Sequence, residues 1–125
     1  MRKIKVGDFI RTESGIIDKV RRKTKFMYQR LGDKGGVREF ENEADYYNVL
    51  IKEYGEKIEY AKNIIDLIKV GDYVNRKLVR AAYLDGRTHY IKLEEEDRGH
   101  RIYNRDIKTV VTKEQFKDIE FWINN

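Results

Sequence analysis

The chain has 125 residues, 40% hydrophobic and 39% charged, with a net charge of +5, no cysteine and no proline. That length suits one domain or two very small ones, and nine Tyr, five Phe and one Trp supply apolar surface for a core, which argues against disorder. Without cysteine there are no disulfides, thiolate nucleophiles or Cys-ligated zinc, and no run approaches the about 20 apolar residues that span a bilayer.

The opening stretch Ile4-Lys5-Val6-Gly7-Asp8-Phe9-Ile10 returns 64 residues later as Ile68-Lys69-Val70-Gly71-Asp72-Tyr73-Val74, with five of seven residues identical. A Gly-Asp turn leading into an aromatic and a β-branched residue is a strand-opening device. A fixed-offset repeat points to two related halves, residues 1–61 and 62–125. Val6–Thr12 reads as a strand, Glu13-Ser14-Gly15 as a turn, and Ile16–Arg22 and Thr24–Leu31 as further strands of period two. Gly32-Asp33-Lys34-Gly35-Gly36 is a hairpin loop; it lacks the spacing of a phosphate-binding loop. Val37–Phe40 is a fourth strand.

Asn42, with Glu43 and Asp45 behind it, is an N-cap, and Gly55 a C-terminal cap. Between them Tyr47, Leu50, Ile51 and Tyr54 fall on one helix face, which predicts a helix over 43–54. Strand character returns at Lys57–Ala61, and Lys62–Leu67 connects the halves. The second half carries strands at Asp72–Asn75, Leu78–Leu84 and Thr88–Glu94, with Asp85-Gly86 as the hairpin turn. Ile107–Val111 is a strand. Thr112 and Gln115 have the capping-box spacing and predict a short helix over Lys113–Asp118. Ile119–Ile123 closes the chain as a strand, matching Ile58–Tyr60 of the first half. The fold expected is therefore mainly β with short helices: two tandem SH3-like barrel halves packed together, each with a helix before its last strand.

A resemblance accompanies these residues. Val6–Thr12 followed by Gly15-Ile16-Ile17 resembles the opening strands of SH3-like and KOW-like barrels. Residues 63–75, with 107–116 downstream, are similar to small proteins of phages and prophages of Gram-positive bacteria, although Arg76 stands where those proteins tend to have Gly. The resemblance implies a mobile-element protein in the bacterial cytoplasm, of a kind that includes inhibitors of host defence.

Charge supplies the other clue. Residues 1–40 hold twelve Lys and Arg against five Asp and Glu. Lys19, Arg21, Arg22, Lys23, Lys25 and Arg30 lie within one twelve-residue stretch that has no acidic residue. Laid along a hairpin with Arg22 and Lys23 at its tip, they would neutralise phosphates, and Tyr28 would stack on a base. Trp122 is a candidate interface anchor. His89 and His100 match no metal-ligand spacing, even with Glu95, Glu96 and Asp97 close by, and Ser14 has no histidine near it in sequence. The expectation is a non-enzymatic binding protein with no cofactor and no metal. Its partner is a host defence nucleoprotein, such as a CRISPR effector, blocked by stoichiometric occupancy; the alternative is direct binding of DNA or RNA.

Overall fold

The computed structural model describes residues 2–22, 28–31, 36–94 and 100–118, with the backbone alone at 28–31, 36–39 and 118. It is mainly β with short helices. The strands are β1 (Phe9–Thr12), β2 (Ile17–Lys19), β3 (Tyr28–Leu31), β4 (Gly36–Glu39), β5 (Ile58–Ala61), β6 (Tyr73–Val74), β7 (Lys77–Asp85), β8 (Thr88–Leu93) and β9 (Val110–Val111). The helices are α1 (Glu43–Tyr54) and α2 (Lys113–Asp118), joined by 3-10 turns at Ile64–Leu67 and Asn104–Asp106. The strands form antiparallel sheets in the orders β2-β1-β5, β3-β4 and β8-β7-β6-β9. None closes on itself among the described residues.

The repeated Val-Gly-Asp stretch builds the same turn twice. Gly7 and Gly71 have φ of 95° and 99°, a region where a β-carbon is strained, which is why glycine recurs there. The Asp8 amide donates to Lys5 O at 3.0 Å and the Asp72 amide to Lys69 O at 3.0 Å. Each aspartate then accepts from the same lysine amide, Asp8 Oδ2 from Lys5 at 2.8 Å and Asp72 Oδ2 from Lys69 at 2.7 Å. Val20 N donates to Asp8 O at 2.7 Å, and Val79 N to Asp72 O at 2.7 Å. The two copies therefore open equivalent strands.

Each copy enters its own core. Ile4, Ile10, Val20 and Ala44 form one cluster, with Tyr47, Ile51, Ile58 and Tyr60 packed against it. Ile65, Ile68, Val74, Val79, Ile91, Leu93 and Ile102 form the other. The clusters meet across β1. Ile10 is buried in the first, while its neighbour Arg11 is also buried, only 1% exposed. The Arg11 guanidinium grips Asp72 with Nη1 at 2.5 Å from Oδ2 and Nη2 at 2.9 Å from Oδ1. It also donates to Leu67 O at 2.8 Å and to Glu114 Oε2 at 2.5 Å. Beside it Thr112 Oγ1 donates to Gly15 O at 2.7 Å, and a β-carbon on Gly15 would lie 2.2 Å from that hydroxyl. The halves are thus joined by polar groups with nearly every hydrogen bond made; Arg11 Nε is the one buried side-chain nitrogen without a partner among the described residues.

The helices follow their caps. Asn42 accepts from Asp45 N at 2.9 Å, and Gly55 takes φ of 66° with its amide returned to Leu50 O. The expected face is rotated, however. Ala44, Tyr47 and Ile51 meet the core, whereas Tyr54 is 44% exposed. The spacing fits because Asn48, on the same side, clamps the backbone of Ile4 with two hydrogen bonds of 3.0 Å each. At α2 the capping box forms, Thr112 N to Gln115 Oε1 at 3.2 Å and Gln115 N to Thr112 Oγ1 at 3.3 Å.

The order over the end of the second half is as expected, α2 following β9; the closing strand expected over 119–123 lies outside the described residues. Three expectations need correction. First, Ile107–Val111 shortens to Val110–Val111, because the amides of Lys108 and Thr109 donate to Asn75 Oδ1 at 2.7 and 3.2 Å and not to a ladder. Second, the β7–β8 turn is Gly86-Arg87, with Asp85 opposite Thr88, one residue later than expected. Third, the strands on either side of the expected basic tip do not pair with each other among the described residues: β2 pairs with β1, and β3 with β4. Residues 23–27, which include Lys23 of that tip, lie outside the described residues.

The β6–β7 turn shows what Arg76 costs. Asn75 and Arg76 have φ of 51° and 68°, both left-handed. Asn75 tolerates this and its Nδ2 donates to Asp106 O at 2.8 Å. Arg76 is strained there by about 1 kcal/mol. Arg76→Gly should raise stability by up to about 1 kcal/mol, the loss of strain being partly offset by a more flexible unfolded chain; urea unfolding measures it. Arg11→Met should cost about 3–5 kcal/mol by leaving Asp72 buried without its cation. By contrast Arg2→Met, which removes the half-exposed partner of Asp8 at 2.6 Å, should cost about 1 kcal/mol or less. Equal losses in the same unfolding assay would refute the asymmetry.

Candidate functional site

The expected binding residues fall into three groups. Lys23, Lys25 and Trp122 lie outside the described residues. Tyr28 and Arg30 are placed by backbone only, two residues apart on β3, where they register with Glu39 and Val37 of β4. Gln29 registers with Arg38. Lys19, Arg21 and Arg22 are fully described and all exposed. Lys19 ends β2 opposite Phe9, its Nζ 5.7 Å from the centre of that ring. Arg21 reaches Asp18 at only 3.9 Å, so that its charge is barely neutralised, while its amide is fixed by Glu43 Oε1 at 2.8 Å. The cations thus run off the edge of the first sheet toward a ribbon, β3–β4, that among the described residues hydrogen-bonds to no other strand.

A second cationic surface was not anticipated. On β7–β8, Tyr83 pairs with Tyr90 across the strands, rings stacked at 5.1 Å and 22°. Tyr103 lies 6.2 Å from Tyr90. Arg101 sits 4.2 Å over the Tyr90 ring, Arg105 5.0 Å over Tyr103, and Lys92 Nζ 5.8 Å over Tyr83. Arg101 also meets Asp85 at 3.0 Å, and that hydrogen bond leads the causes that raise its pKa. The signal was present in the sequence: Tyr83 and Tyr90 are equidistant from Gly86-Arg87. Placing the turn one residue early sets Tyr90 against Ala81 and hides the pair.

A cleft of about 670 Å³ runs beside α1 past Arg2, Phe40, Asp45, Asn48, Glu53 and Tyr60. His89 Nε2 lies 3.3 Å from Asp66 Oδ1. Among the described residues no group of three His, Cys, Asp or Glu is placed to hold a metal. Burial, helped by Asp18, pushes the Tyr47 phenol up to about 12, so it stays neutral as a core ring. No helix among the described residues is long and apolar enough to cross a membrane. In comparisons with known proteins, no family model, curated protein or solved structure matches the chain.

Perturbed ionisable groups can mark function, and those around Arg11 are the clearest. Burial lowers the Arg11 pKa, but hydrogen bonds and charge from Asp72 and Glu114 outweigh it and the net direction is up. Glu114 is held below the usual carboxylate range: burial works against this, and its own amide and Arg11 prevail. Arg11 and Asp72 have no solvent access, so the cluster is a structural joint. A depressed carboxylate stabilises the fold above its unfolded pKa, about 4.3, and that contribution is lost as pH falls through the folded value. Stability should therefore decline on acidification below about pH 4.3. Glu114→Gln should start less stable at neutral pH and decline less steeply, as urea midpoints across the acid range would record. Parallel profiles would show that Glu114 carries none of the effect.

Proposed function

We propose that the chain is a non-enzymatic nucleic-acid-binding protein built of two tandem SH3-like halves, which engages phosphates with the basic run of its first half. One observation carries this: the run leaves a sheet edge, with Lys19, Arg21 and Arg22 exposed, and enters a separate two-stranded ribbon. A two-stranded β-ribbon has the width of a DNA major groove, and clustered cations gain affinity by releasing counterions. The twin turns support the tandem halves, and the 3-10 turn before β9 takes the place that α1 takes before β5.

The second reading is stoichiometric inhibition of a host defence nucleoprotein. What favours it is that the two segments resembling phage proteins form one unit: β6 pairs with β9, Asn75 holds Lys108 and Thr109, and Tyr73 packs on Phe116 at 5.0 Å. Capture from a bacterial lysate separates the readings, since a nucleoprotein target survives nuclease treatment and a bare nucleic-acid partner does not.

Changing Lys19, Arg21 and Arg22 together to Glu should abolish duplex DNA binding and leave the fold intact, because all three are exposed and exposed substitutions cost within about 0.5 kcal/mol each. For the unmodified chain, log affinity should fall linearly with log salt, by about 0.9 per phosphate contacted. A flat salt response, or full binding by the folded variant, would reject the proposal.

A further inference from the structure

The β7–β8 hairpin outruns the core it belongs to. Val79, Ile91 and Leu93 are buried at its base, while every residue from Ala82 to His89 is exposed. A cross-strand aromatic pair is a known way to stabilise a sheet, and it accounts for Tyr83 meeting Tyr90. It does not account for what surrounds them. Tyr83 leaves 45% of its surface in solvent. Tyr103 extends the row of rings from outside the hairpin, and three cations from different elements converge on it: Lys92 from β8, Arg101 from the segment beyond, Arg105 from the 3-10 turn. Arg87 stands exposed at the hairpin tip. Asp85, on the hairpin, meets Arg101 at 3.0 Å.

A ring that keeps much of its surface in solvent, as Tyr83 does, and stands among cations is what an unpaired base binds: the base stacks and the flanking phosphates meet the cations. Duplex DNA offers no base face to such a surface, because its bases are stacked on each other. We infer that Tyr83, Tyr90 and Tyr103, with Lys92, Arg101 and Arg105, form a stacking platform for single-stranded nucleic acid. This rests on the nucleic-acid reading for the kind of ligand and uses a different surface from the first-half cations. An acidic peptide would satisfy the cations and leave the rings idle. The Asp85 carboxylate occupies the guanidinium that a phosphate would take, so it acts as a stand-in for the ligand.

The test is fluorescence anisotropy of the full chain with a short labelled oligothymidylate, a duplex of the same length, and polyglutamate as competitor. Tyr83→Ser, at an exposed site that the fold tolerates, should weaken single-strand binding by about 5- to 150-fold, the range for one base–aromatic stack, and leave duplex binding unchanged. Tyr83→Trp should retain binding. Asp85→Asn should tighten it, by freeing Arg101; a purely structural ion pair would give no gain. Unchanged single-strand binding in Tyr83→Ser, or an equal loss for the duplex, overturns the platform. Displacement by polyglutamate at the same charge concentration as oligothymidylate overturns it in favour of an acidic protein. A chain that binds duplex through its first half yet ignores the single strand sinks the platform alone. Duplex binding that survives reversal of the first-half cations sinks the earlier assignment alone, and binding to neither sinks both.

Discussion

The bidentate grip of Arg11 on Asp72 is the constraint on which the rest of the arrangement depends. Asp72 accepts four hydrogen bonds, two from Arg11 and one each from the amides of Lys69 and Lys113 at 2.7 and 2.9 Å. It therefore fixes its own turn, the start of α2 and the seam between the cores with one side chain. A carboxylate and a guanidinium this deeply buried are costly to strip of water, and they persist only because almost every lone pair and N–H is answered. Polar seams of this kind specify one docking geometry, where an apolar seam would tolerate several.

The repeat makes the division of labour visible. Asp8 and Asp72 occupy the same place in the same turn, yet the first takes its cation from Arg2, six residues away, and the second from Arg11 in the other half. The local motif is thus independent of its partner. Only the second copy has been recruited into holding the chain together, which leaves the edge of the first sheet, where Lys19 and Arg21 lie, open to solvent.

How far the sequence could be read depended on how local the deciding physics was. The helix over 43–54 was legible to the residue because Asn42 and Gly55 cap it from within. The Thr112–Gln115 box was legible for the same reason. Strand pairing was less so: β1 pairs with β2 and with β5, nearly fifty residues on, and no periodicity reports that. Arg11 was invisible as a core residue because alternation assigns it to the face opposite Ile10. That assignment is correct, but the other half covers that face as well. The tyrosine row was missed by a single residue of turn placement, since a one-residue slip changes every cross-strand neighbour. The basic run was legible as charge, not as geometry.

The seam also has a consequence for the order of events in the cell. Arg11 is synthesised before its carboxylate partners, which stand 61 and 103 residues downstream, and the hydroxyl that meets Gly15 stands 97 downstream. Chains are made from the N-terminus at a finite rate, about 5–20 residues per second. For several seconds, then, a nascent first half displays an unpaired guanidinium and an open β1 face. Contacts this distant in sequence also fold slowly. The seam can form only once residues through Glu114 have been translated, so chains cut short of that point lack it.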